Sequence, residues 1–96
     1  MSITDQISEG VHVLDFYSDD CMPCKMLHNV LKEVEKDFQG KAKIHKIKVT
    51  DNPEIANKFG IMSLPALLFF KDGDMKHSSF GLIGVDKIRA QISELL

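Results

Sequence analysis

Two cysteines, Cys21 and Cys24, lie three positions apart where an apolar run meets a helix-like pattern. The run Val11 to Tyr17 is nearly continuous in β-branched, aromatic and leucine side chains, which is typical of a strand covered on both faces. From Met26 to Phe38, apolar residues recur at steps of three and four, which predicts a helix. Ala42 to Val49 then predicts a second strand. A strand–helix–strand order predicts two parallel strands joined by a crossover helix, with the cysteine pair at its start.

That position favours redox chemistry at the cysteine pair. Two cysteines within one helical turn can reach disulfide geometry. The free backbone N–H groups and the dipole at a helix N-terminus favour a thiolate, so we expect a lowered thiol pKa and attack by Cys21. Cys24, one turn inside, is expected to be more buried and to resolve the mixed disulfide. Pro23 fits a first turn, where its missing N–H costs nothing.

Two other interpretations of the pair stay open from spacing alone. A structural zinc site usually needs four ligands, and the chain has no second cysteine pair and only scattered histidines. A static disulfide across so short a loop would constrain little of the unfolded chain. We therefore expect no metal site.

Length and charge limit the remaining classes of function. The 96 residues predict a single domain, residues 1–96, with ordinary globular composition. The net charge is −2 with mixed signs, which argues against nucleic-acid binding. No apolar stretch approaches a membrane span, and the N-terminus lacks the pattern of a signal peptide. We expect a monomer in the cytoplasm. In such a reducing compartment a cysteine pair is more often catalytic than structural.

The rest of the chain predicts one further strand pair and three short helices. Asp72-Gly73 is a tight-turn signal between a strongly apolar strand and an amphipathic strand at the sheet edge. The expected segments are helical turns within Ser2 to Glu9, a short helix from Pro53, strands at Ala66 to Phe70 and Met75 to Phe80, and a helix from Val85 to Leu95.

From Val11 to the C-terminus the sequence resembles the thioredoxin family. The resemblance rests on motifs in order, not on the cysteine pair alone. They are Val13-Leu14-Asp15-Phe16-Tyr17, Cys21-x-Pro23-Cys24-Lys25-Met26, Asp51-Asn52-Pro53 with Phe59-Gly60-Ile61, Leu64-Pro65 with Leu67 to Gly73, and Phe80-Gly81. The family implies an α/β thioredoxin fold, a central mixed sheet of four to five strands flanked by helices. The N-terminal strand is expected to be shortened or absent, so we expect four main strands, or five if Met1 to Thr4 adds a stub.

The resemblance also implies roles for individual residues. Pro65 should follow a cis peptide bond and face the cysteines, and the Leu64 backbone should pair with a substrate strand. Asp15 should be a buried carboxylate that accepts or delivers the proton of Cys24, although a surface carboxylate is the alternative. Lys46 should neighbour and tune Asp15, unless it is simply an exposed strand lysine. The expected substrate-binding set is Met22, Pro23, Leu64, Pro65, Gly81 and Tyr17.

Asp20 and Met22 depart from the family pattern beside the cysteines, and His28 is a further residue near them. Asp20 stands where a tryptophan is common, and with Asp19 it should raise the Cys21 pKa. Met22 replaces the usual glycine, which leaves the redox poise open. His28, one turn after Cys24, is a candidate to tune that thiol, or else a packed helix residue.

These features predict a protein-disulfide reductase that cycles between a Cys21–Cys24 dithiol and disulfide. No cofactor is expected, so a separate reductase, either thioredoxin reductase or the glutathione system, must recycle it. Two alternatives remain. One is a glutaredoxin-like enzyme coupled to glutathione, and the other is a thioredoxin-fold subunit that binds a partner without redox chemistry.

Overall fold

The structure is a computed structural model that describes residues 2–96. This part of the chain contains four helices and four strands. In order they are α1 (Ile3–Gln6), β1 (Val11–Tyr17), α2 (Met22–Asp37), β2 (Ala42–Lys48), α3 (Pro53–Lys58), β3 (Ala66–Lys71), β4 (Asp74–Phe80) and α4 (Val85–Leu95). Every helix within residues 2–96 is too short or too polar to span a bilayer.

The strands form one mixed sheet in the order β2-β1-β3-β4. β1 and β2 run parallel, as the helical crossover between them predicts, and the other neighbouring pairs are antiparallel. The apolar β3 lies inside the sheet and the amphipathic β4 at its edge, as the sequence predicts. Asp72 and Gly73 both have positive φ, which suits the tight turn that joins these strands.

Alternation along the strands divides the core between the two faces of the sheet. Val11 and Val13 of β1 pack with residues of α2 and α4, whereas Leu14 and Phe16 pack with residues near α1 and α3. We call these the α2/α4 face and the α1/α3 face. Asp15 follows Val13 by two residues and therefore points to the α2/α4 face.

Residues 2–96 form a sheet of four strands, which confirms the predicted mixed sheet of four to five strands and the predicted loss of the N-terminal strand. Ile3 and Thr4 belong to α1, because the Ser2 side chain accepts a hydrogen bond from the Asp5 amide and caps that helix. Met1 lies outside the described residues. Asn52 precedes α3 without a side-chain cap; its side-chain amide instead donates to the carbonyl of Lys48.

Candidate active site

Cys21 and Cys24 form a disulfide at the start of α2, with Cα atoms 5.2 Å apart. Cys21 is the N-cap residue, and its sulfur accepts a hydrogen bond of 3.2 Å from the Cys24 amide. Pro23 stands in the first turn of the helix, where no N–H is required. A sulfur at this position lies where the helix end best stabilises negative charge.

The two sulfurs differ in their access to solvent. Cys24 is fully buried, whereas Cys21 is half-buried and is followed by the exposed Met22 and Pro23. A substrate can therefore approach Cys21 from the surface but cannot reach Cys24 without displacing protein atoms. This asymmetry suits one attacking and one resolving thiol.

The register of the sheet places a second segment beside the cysteines. Phe16, near the end of β1, pairs with Ala66 at the start of β3, and Ala66 pairs with Phe80 at the end of β4. The chain segments carrying Cys21, Pro65 and Gly81 therefore meet at one end of the strands, which we call the binding edge. The Leu64–Pro65 bond is cis, as the family resemblance implies, and Pro65 is buried.

Gly81 is tied directly to this proline loop. Its amide donates a hydrogen bond of 2.8 Å to the Pro65 carbonyl, and its φ is +90°. Exposed apolar side chains surround the same edge, namely Met22, Met62, Phe80 and Leu82. The edge thus offers an apolar surface next to a reactive disulfide.

Asp15 is a fully buried carboxylate, so the alternative of a surface carboxylate was wrong. Burial raises the pKa of Asp15 to about 7, and the charge of Lys46 opposes that rise. Lys46 is the cross-strand partner of Asp15, yet its side chain remains exposed. Lys46 is thus the strand neighbour of Asp15 and at the same time an exposed lysine. A carboxyl with this pKa can change protonation near neutral pH.

His28 supplies a contact that the sequence analysis did not identify. Its Nε2 lies 2.7 Å from Oδ2 of Asp15, although the alignment of the two groups falls outside hydrogen-bond geometry. The Tyr17 ring meets the imidazole edge to face, with centroids 4.7 Å apart. The signal was present in the sequence. His28 follows Cys24 at helical spacing, and Asp15 and Tyr17 alternate with Val13 on the face that the helix covers.

Phe16 and Asp19 lie close to the site in sequence, but their side chains contact other parts of the protein. Phe16 packs on the α1/α3 face, so it does not line the cysteine side of the sheet as Tyr17 does. Asp19 lies 3.1 Å from the Lys48 ammonium, which partly compensates the negative charge next to Cys21. Asp20 is exposed. Residues 2–96 contain no group of three or more His, Cys, Asp or Glu side chains placed to hold a metal ion.

Comparisons with known proteins agree with this arrangement. The thioredoxin family model matches residues 2–94. A thioredoxin of Staphylococcus saprophyticus is 49% identical over 70 residues, which cover 73% of this chain and 67% of that protein. A thioredoxin of Bacillus subtilis is 45% identical over 80 residues, covering 83% and 77% of the two chains.

A solved structure agrees over a longer stretch. A mutant thioredoxin from Halobacterium salinarum NRC-1 superposes with a TM-score of 0.87 at 31% identity, covering 97% of this chain and 81% of the other. The family model, the relatives and the Cys21–Cys24 disulfide lead to one conclusion. The chain belongs to the thioredoxin family and is a thiol–disulfide oxidoreductase.

Proposed function

We propose that Cys21 is the nucleophile and Cys24 the resolving thiol in the reduction of protein disulfides. The observation that carries this assignment is the unequal burial of the two sulfurs at the start of α2. The Cys21 thiolate attacks a substrate disulfide, an S–S bond forms between Cys21 and the substrate, and the first substrate sulfur leaves and takes up a proton. Cys24 then attacks Cys21, the mixed disulfide breaks, and the second substrate thiolate is protonated.

Asp15 is proposed to accept the proton of Cys24 in the second step and to return it when the disulfide is reduced again. The carboxyl lies on the face of the sheet covered by α2, the helix that carries Cys24. Its pKa of about 7 matches the requirement that a general base be poised near the working pH. Lys46 tunes Asp15 by lowering its pKa from the neighbouring strand.

The substrate is proposed to bind along the edge formed by the cysteines and the proline loop. The Leu64 backbone forms no hydrogen bond outside helices and strands within residues 2–96, so it is free to pair with an extended peptide. Apolar contacts would come from the exposed Met22 and Pro23, while Pro65, Gly81 and Tyr17 shape the surface behind them.

Membership of the family implies protein disulfides as substrates and a reductase as partner. We propose thioredoxin reductase as that partner and the cytoplasm as the compartment. A dithiol that donates electrons must work where the surroundings keep it reduced, and the cytoplasm provides such a poise.

Trapping of the mixed disulfide tests the assignment. Cys24→Ser should form a stable covalent adduct with a disulfide-containing protein such as insulin, and Cys21→Ser should form none. The reverse pattern would contradict the assigned roles. Recycling of the wild type by NADPH and thioredoxin reductase, but not by glutathione and glutathione reductase, would support the proposed partner. Recycling by glutathione alone would replace it.

A further inference from the structure

Asp15, a carboxyl with no exposed surface, is in contact with His28, a side chain that reaches solvent. The Asp15 side chain is 0% exposed, and neither of its oxygens has a partner with hydrogen-bond geometry within residues 2–96. The buried His28 Nε2 also lacks one. These groups lie 2.7 Å apart, so a small rotation of the imidazole would satisfy both. Buried polar atoms without partners are rare in folded proteins and require an explanation.

The rest of the imidazole connects this contact to the surface. Nε2 is buried, yet the His28 side chain is 17% exposed, so solvent meets the ring away from Nε2. His28 also follows Cys24 by one helical turn, so both side chains lie on the same stripe of α2. The imidazole therefore lies between the buried carboxyl beneath α2 and the water outside.

Burial and the charges around His28 favour its neutral imidazole, which is the form that can accept a proton. Burial lowers the pKa of His28 below 6.5, and Lys46 of β2 and Lys32 of α2 lower it further. Tyr17 of β1 packs against the ring. A charged Asp15 carboxylate at 2.7 Å acts in the opposite direction, because a nearby negative charge favours the protonated ring. Lys46 is not a competing route by contact, since no ion pair between it and Asp15 is formed in the described residues.

We propose that His28 is a positioning residue that carries protons between Asp15 and solvent. This inference rests on the proposed function, in which Asp15 receives the proton of Cys24. A carboxyl with no exposed surface has to exchange its proton through a neighbour, and His28 is the ionisable side chain in contact with it.

Every proton released in the resolving step is taken up by a named group. The Cys24 thiol gives its proton to the Asp15 carboxylate, and the sulfur electron pair forms the bond to Cys21. The Asp15 carboxyl then gives a proton to Nε2 of neutral His28, and the Nδ1–H releases one to water. Exchange between the two imidazole tautomers restores the starting ring. The substrate thiolate that leaves takes up one proton from water, so no net proton is gained or lost.

Single-turnover oxidation of the reduced protein by a disulfide-bonded peptide tests the proposal. Acid quenching and mass detection of alkylated species separate the mixed disulfide from the oxidised protein. His28→Gln cannot titrate, and we expect it to slow the resolving step by about tenfold or more. That is less than the roughly 10²–10⁴-fold of direct proton transfer, because water can partly replace the relay. The mixed disulfide should then accumulate, while its rate of formation stays unchanged.

The matched control is His77→Gln. His77 also lies 2.7 Å from a carboxylate, Glu94, but belongs to β4 at the sheet edge. It should leave both steps at the wild-type rates. Added imidazole should accelerate the resolving step of His28→Ala and leave that of the wild type unchanged.

The outcomes distinguish this inference from the proposed function. A wild type that resolves the mixed disulfide, together with His28→Gln that resolves it equally fast with the same pH profile, overturns the relay alone. A wild type that forms no mixed disulfide overturns the proposed function and the relay with it.

Titration of the folded wild type gives an independent test that needs no His28 variant. In the reduced protein, the His28 imidazole signals followed by NMR should respond to the ionisation of Asp15, and Asp15→Asn should move their midpoint. A His28 titration that Asp15→Asn leaves unchanged would overturn the coupling between the two groups and the relay built on it.

Discussion

Asp15 and Lys46 are direct partners across the parallel pair of β1 and β2. Partners in register project to the same face of the sheet, so the lysine stem starts beside the buried carboxyl while its side chain remains exposed. Lys46 therefore acts on Asp15 through its charge and not through a formed ion pair. An interaction of this kind is weakened by solvent and salt.

Replacement of that charge should raise the pKa of Asp15 above its already elevated value. We expect Lys46→Met to raise it by less than about one unit, because exposed charge pairs contribute only ~0.2–1 kcal/mol. The Asp15 carboxyl signal followed by NMR across pH 5–9 measures the change. Lys43→Met, on the same strand but directed to the opposite face, is the control. Equal pKa values in Lys46→Met and the wild type would show that Lys46 does not tune Asp15.

The buried carboxyl should make the protein less stable as pH rises. The folded pKa of Asp15, about 7, exceeds its ordinary value of 3.8, so the folded state binds more protons between these limits. The contribution of Asp15 to the free energy of unfolding is therefore greatest below pH 4, and it is lost as pH rises through 7. At 1.36 kcal/mol for each pKa unit, the loss reaches roughly 4 kcal/mol at most.

Asp15→Asn should remove this penalty. We expect the variant to be more stable than the wild type at pH 8, by up to about 4 kcal/mol, and to show little difference from it near pH 4. Urea unfolding of the oxidised proteins at several pH values measures the change. Asp86→Asn is the control, because the Asp86 side chain is 99% exposed. A wild type that gains stability relative to Asp15→Asn between pH 5 and 8 would contradict the raised pKa.

A histidine pair on the α1/α3 face should act in the opposite direction. His45 Nε2 lies 2.9 Å from Nδ1 of His12, whose Nε2 lies 2.7 Å from the Glu9 carbonyl and donates to it. Burial lowers the pKa of His45 to about 4, and the neighbouring His12 and Lys43 contribute. The unfolded state then binds more protons between pH 4 and 6.5, so stability is lost as pH falls through that range.

His45→Gln should therefore lose less stability than the wild type on acidification from pH 7 to 4.5. The difference should not exceed about 2–3 kcal/mol, because His45 is only partly buried. Protonation of Asp15 stabilises the folded protein over the same range. The effect of His45 therefore has to be measured as the difference in free energy of unfolding between variant and wild type, and not from the pH dependence of the wild type alone. His77→Gln serves as the control. Parallel pH curves for His45→Gln and the wild type would contradict the prediction.

The sequence predicted the elements of this fold because local signals and global pairing agree. The apolar run of β1, the helical period of α2 and the Asp72-Gly73 turn each specify one element with little ambiguity. The number of strands was less certain, because the stretch around Ile3 is too short to show a period. A side-chain cap at Ser2 decided in favour of the helix.

The candidate site was predictable where it depends on spacing and not where it depends on side-chain placement. Burial of Asp15 follows from its position in an apolar strand, and the cysteine pair follows from its place before α2. The helical period shows that His28 and Cys24 lie on the same stripe of α2. It does not determine how α2 is rotated and placed over the sheet, and the contact between His28 and Asp15 depends on that placement. The ion pair of Asp19 with Lys48 joins two loop ends that no local pattern connects.

Gly81 and Gly40 allow a backbone effect to be separated from an effect on substrate binding. Both have positive φ, +90° and +82°, and an added Cβ at either position would meet no atom within 4 Å. Replacement by alanine should therefore cost each about 1–2 kcal/mol of stability through strain alone. Gly81 donates to the Pro65 carbonyl at the candidate binding edge, whereas Gly40 follows α2 on its way to β2, at the other end of β1.

We expect Gly81→Ala to raise the KM for a protein disulfide several-fold, because the new methyl group lies where the substrate strand would run. Gly40→Ala should lose similar stability in urea unfolding and keep the wild-type KM. Steady-state reduction of insulin, with stability measured on the same samples, separates the two effects. An unchanged KM in Gly81→Ala would place the substrate away from Gly81 and leave the Met22 side of the edge as its contact surface. Equal increases in both variants would instead assign the change to lost stability.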